Sequence, residues 1–128
     1  MIYLVDTNVL LWAALEPSRL SGDAVGILED PESGVMFSAV SILEVAVKSS
    51  RSRADFQVDA RLFRRALIEN GYTELPVSSA HAAAVADLPG LHSDPFDRIQ
   101  LAQARSEGLV FLTSDSRLAD YGSPVRLV

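Results

Sequence analysis

The fold is decided by the stretch Ile2-Tyr3-Leu4-Val5-Asp6-Thr7-Asn8-Val9-Leu10-Leu11-Trp12, in which a single carboxylate separates two apolar runs. The first run predicts a strand at 2–5 that is covered on both faces, because a half-exposed strand would alternate polar and apolar side chains. From Thr7 onward the pattern predicts a helix, so Asp6 lies where a buried strand ends and a helix begins. That junction is where ligands bind in open α/β sheets, although Asp6 also suits a helix N-cap.

Turn residues divide the rest of the chain into alternating strands and helices. Further strands are predicted at 35–37, 72–77, 110–112 and 125–128. Helices are predicted at 7–15, 21–30, 38–50, 59–70, 80–87, 99–107 and 116–121. The alternation predicts an α/β fold with three α/β/α layers, in which a mostly parallel sheet carries helices on both faces. We expect one domain over residues 1–128, a length that suits a single core.

Composition narrows the function classes. The 128 residues are 48% hydrophobic and include no cysteine, which excludes disulfides, thiolate chemistry and cysteine-ligated zinc and fits a reducing cytoplasm. No stretch approaches the roughly 18 apolar residues of a membrane span, and the start lacks a secretory-signal pattern, so we expect a soluble, cytoplasmic protein. The net charge of −6 argues against nucleic-acid binding by bulk electrostatic attraction.

The basic residues are unevenly distributed. Six of the 11 fall between positions 48 and 65, a region that holds only two acids, Asp55 and Asp59. The six are Lys48, Arg51, Arg53, Arg61, Arg64 and Arg65. Two interpretations stay open: a local patch that contacts phosphates, or the solvated ends of two helices, which is the commoner meaning of such a cluster.

Four carboxylates occupy positions that suggest chemistry. Asp6 and Asp115 each follow a predicted strand, Glu44 lies in a helix predicted to be largely buried, and Asp97 lies at a helix start. Each has a structural explanation: Asp6 and Asp115 as helix caps, Glu44 as half of a surface ion pair, and Asp97 as part of a helix start capped by Asp94. Capping does not explain why two parallel strands both end in an acid. If those strands are neighbours, both carboxylates face one crevice.

A cluster of carboxylates needs a cation or protons, because each pair at about 4 Å repels by about 1 kcal/mol in water and about 4 kcal/mol at an intermediate dielectric. With no cysteine and no paired histidines, an oxygen-only site suits Mg²⁺ or Mn²⁺. Such an ion neutralises phosphodiester oxygens and lowers the pKa of a bound water for in-line attack. Asn8, Ser41 and Thr113 are candidates for supporting the ligands or contacting phosphates. His81 is predicted to be structural, because no carboxylate lies nearby at chelating spacing.

Four motifs follow one another along essentially the whole chain. They are Leu4-Val5-Asp6-Thr7-Asn8, Phe37-Ser38-Ala39-Val40-Ser41-Ile42-Leu43-Glu44-Val45-Ala46-Val47-Lys48, Leu88-Pro89-Gly90-Leu91-His92-Ser93-Asp94-Pro95-Phe96-Asp97-Arg98 and Leu112-Thr113-Ser114-Asp115. Together they resemble the PIN-domain ribonucleases, and most closely the VapC toxins of bacterial toxin–antitoxin pairs. The most specific part is the block from Asp94 to Arg98.

The resemblance implies a parallel sheet of strand order 3-2-1-4-5, which makes the first and fourth strands neighbours. By position, the acidic metal-site residues would be Asp6, Glu44, Asp97 and Asp115, with Asp94 as an auxiliary residue or a helix cap. The resemblance also implies RNA cleavage with Mg²⁺ or Mn²⁺, a homodimer, and inhibition by a small VapB-like antitoxin whose tail occupies the active-site groove. Trp12 and the apolar side of the helix at 42–47 are candidates for that groove or for the core.

Two places depart from the family pattern. Residues 49–54 stand where many relatives carry a Gly-Lys-Leu-like segment, and Ser114 stands where a basic residue is frequent. Neither change touches a proposed ligand, but both lie where RNA or an antitoxin would make contact.

Three alternatives remain. A stand-alone PIN nuclease would lack a neighbouring antitoxin gene. A binding module of this fold that has lost catalysis is disfavoured by the four retained acids. A phosphoacceptor receiver domain is also small, acidic and Mg²⁺-binding, but it needs paired acids after the first strand and a lysine after a late strand. Here Asp6 stands alone, and the only lysine, Lys48, lies in a helix.

Overall fold

The computed structural model describes residues 1–51 and 56–128. Its helices are α1 (Thr7–Leu15), α2 (Gly22–Glu29), α3 (Ala39–Ser50), α4 (Ala60–Glu69), α5 (Ser79–Ala84) and α6 (Pro95–Glu107). Its strands are β1 (Ile2–Val5), β2 (Gly34–Ser38), β3 (Thr73–Leu75), β4 (Val110–Thr113) and β5 (Val125–Leu127). Short 3-10 segments cover Pro17–Arg19, Val85–Asp87 and Ser116–Tyr121.

β1 is the central strand of a parallel sheet with the order β3-β2-β1-β4-β5. Val5 pairs with Phe37 of β2 on one side and with Leu112 of β4 on the other. The predicted strand order and the central position of the first strand are confirmed. The other common doubly wound order, 2-1-3-4-5, is the one that receiver domains share with flavodoxin. The sheet therefore does not support the receiver alternative.

The sheet is covered on both faces, because the side chains of β1 alternate between two apolar clusters. Tyr3 and Val5 belong to a cluster that also draws side chains from α1, α3 and α4. Leu4 belongs to a second cluster, which includes Leu101 of α6 and Phe111 of β4. The α/β/α layering predicted from the apolar run at 2–5 is confirmed.

Several helices begin or end where their capping residues predicted. The side chains of Ser21 and Asp59 cap α2 and α4 by accepting hydrogen bonds from backbone N–H groups of the first turn. Gly108 ends α6 in a left-handed conformation with φ at 68°, which side chains other than glycine rarely adopt. The end of α6 at Gly108 comes directly before β4, which begins at Val110.

Five predicted features are wrong in detail. The helix predicted at 99–107 begins four residues earlier, at Pro95, and the helix predicted at 116–121 is a 3-10 helix. The extended segment at 72–77 contributes only β3 to the sheet edge, because Pro76 has no N–H to donate to a ladder. The helix predicted at 80–87 leaves the α conformation after Ala84 and continues as a 3-10 turn. The helix predicted to be largely buried, α3, exposes 53% of Leu43, because only one side of the helix faces the sheet. Within the described residues, no helix combines the length and the apolar character that crossing a bilayer requires.

Candidate metal centre

Asp6 stands at the carboxyl end of the central strand and is only 3% exposed. Its backbone N–H continues the ladder to the Leu112 carbonyl at 2.9 Å. One carboxylate oxygen caps α1 by accepting from the Val9 N–H at 3.1 Å, and the other accepts a hydrogen bond from the Thr113 hydroxyl. Burial raises the pKa of Asp6 from its ordinary value of 3.8 to about 6, in spite of these two hydrogen bonds. The capping role predicted for Asp6 is confirmed. Because burial raises its pKa, Asp6 is also an acid that resists ionisation.

Asp115 follows β4, the neighbour of β1, so it lies at the same end of the sheet as Asp6. Thr113 links the two acids: its hydroxyl donates to Asp6 and accepts from the Asp115 N–H at 3.0 Å. The Arg117 guanidinium contacts both carboxylate oxygens of Asp115, at 3.1 and 2.8 Å. These hydrogen bonds from Arg117 lower the pKa of Asp115, so this acid is ionised and already carries a cationic partner.

Asp97 comes from the first turn of α6. As predicted, Asp94 caps this helix, with its Oδ1 accepting from the N–H groups of Phe96 at 2.8 Å and of Asp97 at 3.3 Å. The Asp97 side chain points elsewhere, with its Oδ2 2.8 Å from Nε2 of His92. Burial raises the pKa of Asp97, the hydrogen bond from His92 opposes that rise, and the negative charges of Asp94 and Glu44 add to it.

Glu44 comes from the buried side of α3, and its side chain is 5% exposed. Its Oε2 forms an ion pair with Nζ of Lys48 at 2.6 Å. Its Oε1 is buried and has no hydrogen-bond partner within the described residues. The charge of Glu44 raises the pKa of both Asp6 and Asp97, although burial is the larger cause for each. The pair with Lys48 is therefore not an ordinary surface ion pair, since one carboxylate oxygen is directed into the protein without a partner.

The four acids predicted from the sequence thus converge at one end of the sheet. Ligand-type atoms of His92, Asp97 and Asp115 all lie within 4.8 Å of one another. Asp6 is joined to this group through the Thr113 hydroxyl and through its electrostatic coupling to Asp97. The sequence predicted a site with oxygen ligands only. The structure also places His92, whose side chain carries nitrogen atoms, against Asp97.

A buried polar network lies behind the acids. The Thr7 hydroxyl donates to Oγ of Ser41 at 2.9 Å, and Nε2 of Gln100 approaches the Thr7 hydroxyl at 3.4 Å and the Phe96 carbonyl at 3.1 Å. Gln100 and Ser41 are fully buried. Ser41 therefore braces α3 against α6 and does not face solvent, whereas Asn8, the other polar candidate at the start of α1, is exposed.

Sequence reasoning overlooked Gln100 and His92. The sequence did hold a signal for Gln100, because it lies three residues before Gln103, on the same side of α6. The structure shows that both glutamines are fully buried, where a helix face would ordinarily be apolar. His81, predicted to be structural, caps α5 and also meets a carboxylate, with Nε2 3.0 Å from Oε2 of Glu107. That carboxylate is distant in sequence, so spacing alone could not reveal it.

The predicted basic cluster is partly neutralised by acids. Besides the pair between Lys48 and Glu44, Nε of Arg64 lies 3.0 Å from Oε1 of Glu74. Arg53 lies outside the described residues. This agrees better with solvated helix ends than with a patch dedicated to phosphates. Trp12, a candidate for the groove or the core, is half-buried beneath the guanidinium of Arg19.

Comparison with known proteins gives consistent matches. The family model described as PIN domain matches residues 3–124. The chain is 30% identical over 121 residues to Ribonuclease VapC22 from Mycobacterium tuberculosis (strain ATCC 25618 / H37Rv), a match that covers 94% of this chain and 92% of that protein.

Solved structures share the fold. VapBC2 from Rickettsia felis, bound to a DNA fragment from its promoter, superposes with a TM-score of 0.70 at 15% identity, over 100% of this chain and 98% of that chain. A toxin–antitoxin complex from Klebsiella pneumoniae has a TM-score of 0.65 at 20% identity, over 97% of this chain and 95% of that one. FitAcB from Neisseria gonorrhoeae has a TM-score of 0.60 at 21% identity, over 98% and 96%.

Proposed function

Because this chain belongs to the PIN-domain family, among the VapC-type ribonucleases, we propose that it is a divalent-metal-dependent endoribonuclease and the toxin of a toxin–antitoxin pair. The observation that carries the proposal is the convergence of the four acids at the carboxyl ends of β1 and β4. The order of the strands makes this the topological switch point of the sheet, where open α/β sheets bind ligands.

The surroundings of the four acids favour a bound divalent cation. A carboxyl oxygen that is buried without a partner among the described residues, as Oε1 of Glu44 is, carries a desolvation cost that a cation or its bound water removes. The proposed ligand set is Asp6, Glu44, Asp97 and Asp115. Carboxylate oxygens suit Mg²⁺ and Mn²⁺. When bound, such an ion lowers the pKa of a coordinated water and neutralises charge on the scissile phosphate.

The remaining side chains have supporting tasks. Thr113 holds the Asp6 carboxylate through its hydroxyl and the Asp115 backbone through its oxygen, so it sets the spacing between two proposed ligands. Ser41 holds the start of α3, from which Glu44 projects, against α6. Exposed Asn8 is proposed to contact RNA, and Asp94 to orient Asp97 by capping the same helix.

The direct test is cleavage of labelled structured RNAs by the purified chain, freed of any bound partner. We expect cleavage with Mg²⁺ or Mn²⁺ and none with excess EDTA, because without a cation the site holds like charges and a carboxyl that resists ionisation. Restoring the metal after chelation should restore cleavage. Cleavage that persists unchanged in EDTA would contradict the proposed chemistry.

We further propose a small VapB-like antitoxin as partner, homodimerisation, and a cytoplasmic location, where the RNA substrate is found. The matched structures support the antitoxin, since two of them are VapBC2 and a toxin–antitoxin complex. The second candidate is a stand-alone PIN nuclease. A neighbouring gene for a small DNA-binding protein that co-purifies with this chain and inhibits it would decide for the toxin.

A further inference from the structure

His92 is a buried residue that the proposed ligand set does not use. It lies in the loop before α6, and its side chain is only 5% exposed. Its Nε2 is 2.8 Å from Oδ2 of Asp97, and Asp115 also offers an oxygen within 4.8 Å. A buried imidazole that touches a proposed metal ligand, with no assigned task, calls for an explanation.

The loop that carries His92 is fixed by the helix that carries Asp97. Nη1 of Arg98 donates to the carbonyls of His92 and Pro89, both at 3.1 Å, and Nη2 donates to the Val85 carbonyl at 3.3 Å. The Tyr121 hydroxyl donates to the same Pro89 carbonyl at 3.0 Å. The backbone that carries the imidazole is therefore held in place by contacts outside the four acids.

An ionised carboxylate can only accept hydrogen bonds, so the short contact requires Nε2 of His92 to carry the proton and donate to Oδ2 of Asp97. With Oδ2 engaged in this way, the rotation of the Asp97 side chain is restrained and Oδ1 stays available as a ligand atom. Groups that hold ligand side chains in this manner change metal affinity or activity by about 10- to 100-fold when they are removed.

We propose that His92 is a positioning residue that holds the Asp97 carboxylate for the metal, and that it is not itself a ligand. This inference rests on the proposed metal site and adds to it the group that sets the orientation of one ligand. Ligation through Nε2 would need that nitrogen to lose its proton and its hydrogen bond to Asp97, which is the arrangement least like the one observed.

The test compares three variants of the full chain. His92→Leu removes the donor, and His92→Gln keeps an N–H donor near the position of Nε2. His81→Leu is the matched control, because it removes another buried histidine that pairs with a carboxylate of α6, at Glu107, about 15 Å further along the helix. Mn²⁺ affinity is measured by calorimetry, and the free energy of unfolding is measured in EDTA.

We expect His92→Leu to weaken Mn²⁺ binding by about 10- to 100-fold, and His92→Gln to recover most of that loss. His81→Leu should keep the wild-type Mn²⁺ affinity even where it lowers stability, which separates positioning from general destabilisation. The pulsed EPR spectrum of bound Mn²⁺ should show no nitrogen directly coordinated to the ion.

Two results would overturn the inference while the metal site stands: wild-type Mn²⁺ affinity in His92→Leu, or a directly coordinated nitrogen that disappears in that variant. Failure of the wild-type chain to bind Mn²⁺ at all would instead overturn the proposed function together with this inference.

Discussion

Asp97→Asn should lower the rate of RNA cleavage at least about 100-fold and leave the fold intact, an effect at the upper end of what changes around a metal ligand cause. Asparagine keeps the size of the side chain and an oxygen that accepts from Nε2 of His92, so the loop before α6 keeps its contact. The negative charge is lost, and with it much of the attraction of the site for a cation. The measurement is single-turnover cleavage of a labelled RNA with saturating Mn²⁺.

Asp30→Asn is the matched control for charge. Asp30 is exposed in the turn before β2, at the opposite end of the sheet, and its Oδ1 accepts from the Glu32 N–H at 2.9 Å, which asparagine can also do. This variant should cleave RNA like the wild type. Wild-type rates in Asp97→Asn would remove Asp97 from the proposed ligand set.

The second large effect concerns stability, and its direction is opposite to the effect on activity. In metal-free protein, Asp6→Asn should raise the free energy of unfolding at about pH 7.5 by roughly 1 to 3 kcal/mol, since one pKa unit corresponds to about 1.4 kcal/mol. Burial makes ionisation of Asp6 unfavourable in the folded state, and asparagine has no charge to bury. The same substitution should abolish metal-dependent cleavage.

The raised pKa of Asp6 also determines how the stability of the metal-free protein changes with pH. The folded state binds the Asp6 proton more tightly than the unfolded state, so the resulting stability is fully present below the ordinary pKa of 3.8 and is lost as the pH rises through about 6. The raised pKa of Asp97 acts in the same direction. Wild-type protein in EDTA should therefore become less stable between about pH 5 and pH 7.5, and Asp6→Asn should lose less over that range.

Urea unfolding in EDTA at both pH values measures the difference, with Asp30→Asn as the control. Added Mn²⁺ should stabilise the wild type at the higher pH and have no such effect on Asp6→Asn, because a ligand that binds only the folded state stabilises it by mass action. A metal-free Asp6→Asn that is less stable than the wild type at both pH values would show that Asp6 serves the fold through its hydrogen bonds alone.

Much of the fold was predictable because its determinants are local. The unbroken apolar run at 2–5 predicted a strand covered on both faces, and the caps at Ser21 and Asp59 fixed helix starts within a residue or two. The strand order was not local information. It came from the resemblance of the motifs, and the structure confirms it.

The four acids of the proposed site stood out in the sequence for the same reason: each follows a strand, interrupts an apolar helix or opens a helix. Their supporting groups were not. Ser41 contacts Thr7 and Gln100 across 34 and 59 positions of sequence, and no spacing rule connects them. His92 is near Asp97 in sequence, but the contact depends on the path of a loop that Arg98 fixes through backbone carbonyls. Such contacts become visible only when the tertiary structure is known.

The proposed function requires that the four acids near the carboxyl ends of β1 and β4 hold a divalent ion. The most direct measurement is anomalous diffraction from crystals of this chain soaked in Mn²⁺. We predict a Mn²⁺ peak within coordination distance of carboxylate oxygens of Asp6 and Asp97, with Asp115 and Glu44 directly bound or joined through water. Crystals of protein that cleaves RNA with Mn²⁺, yet bind no ion between Asp6 and Asp97, would contradict the account.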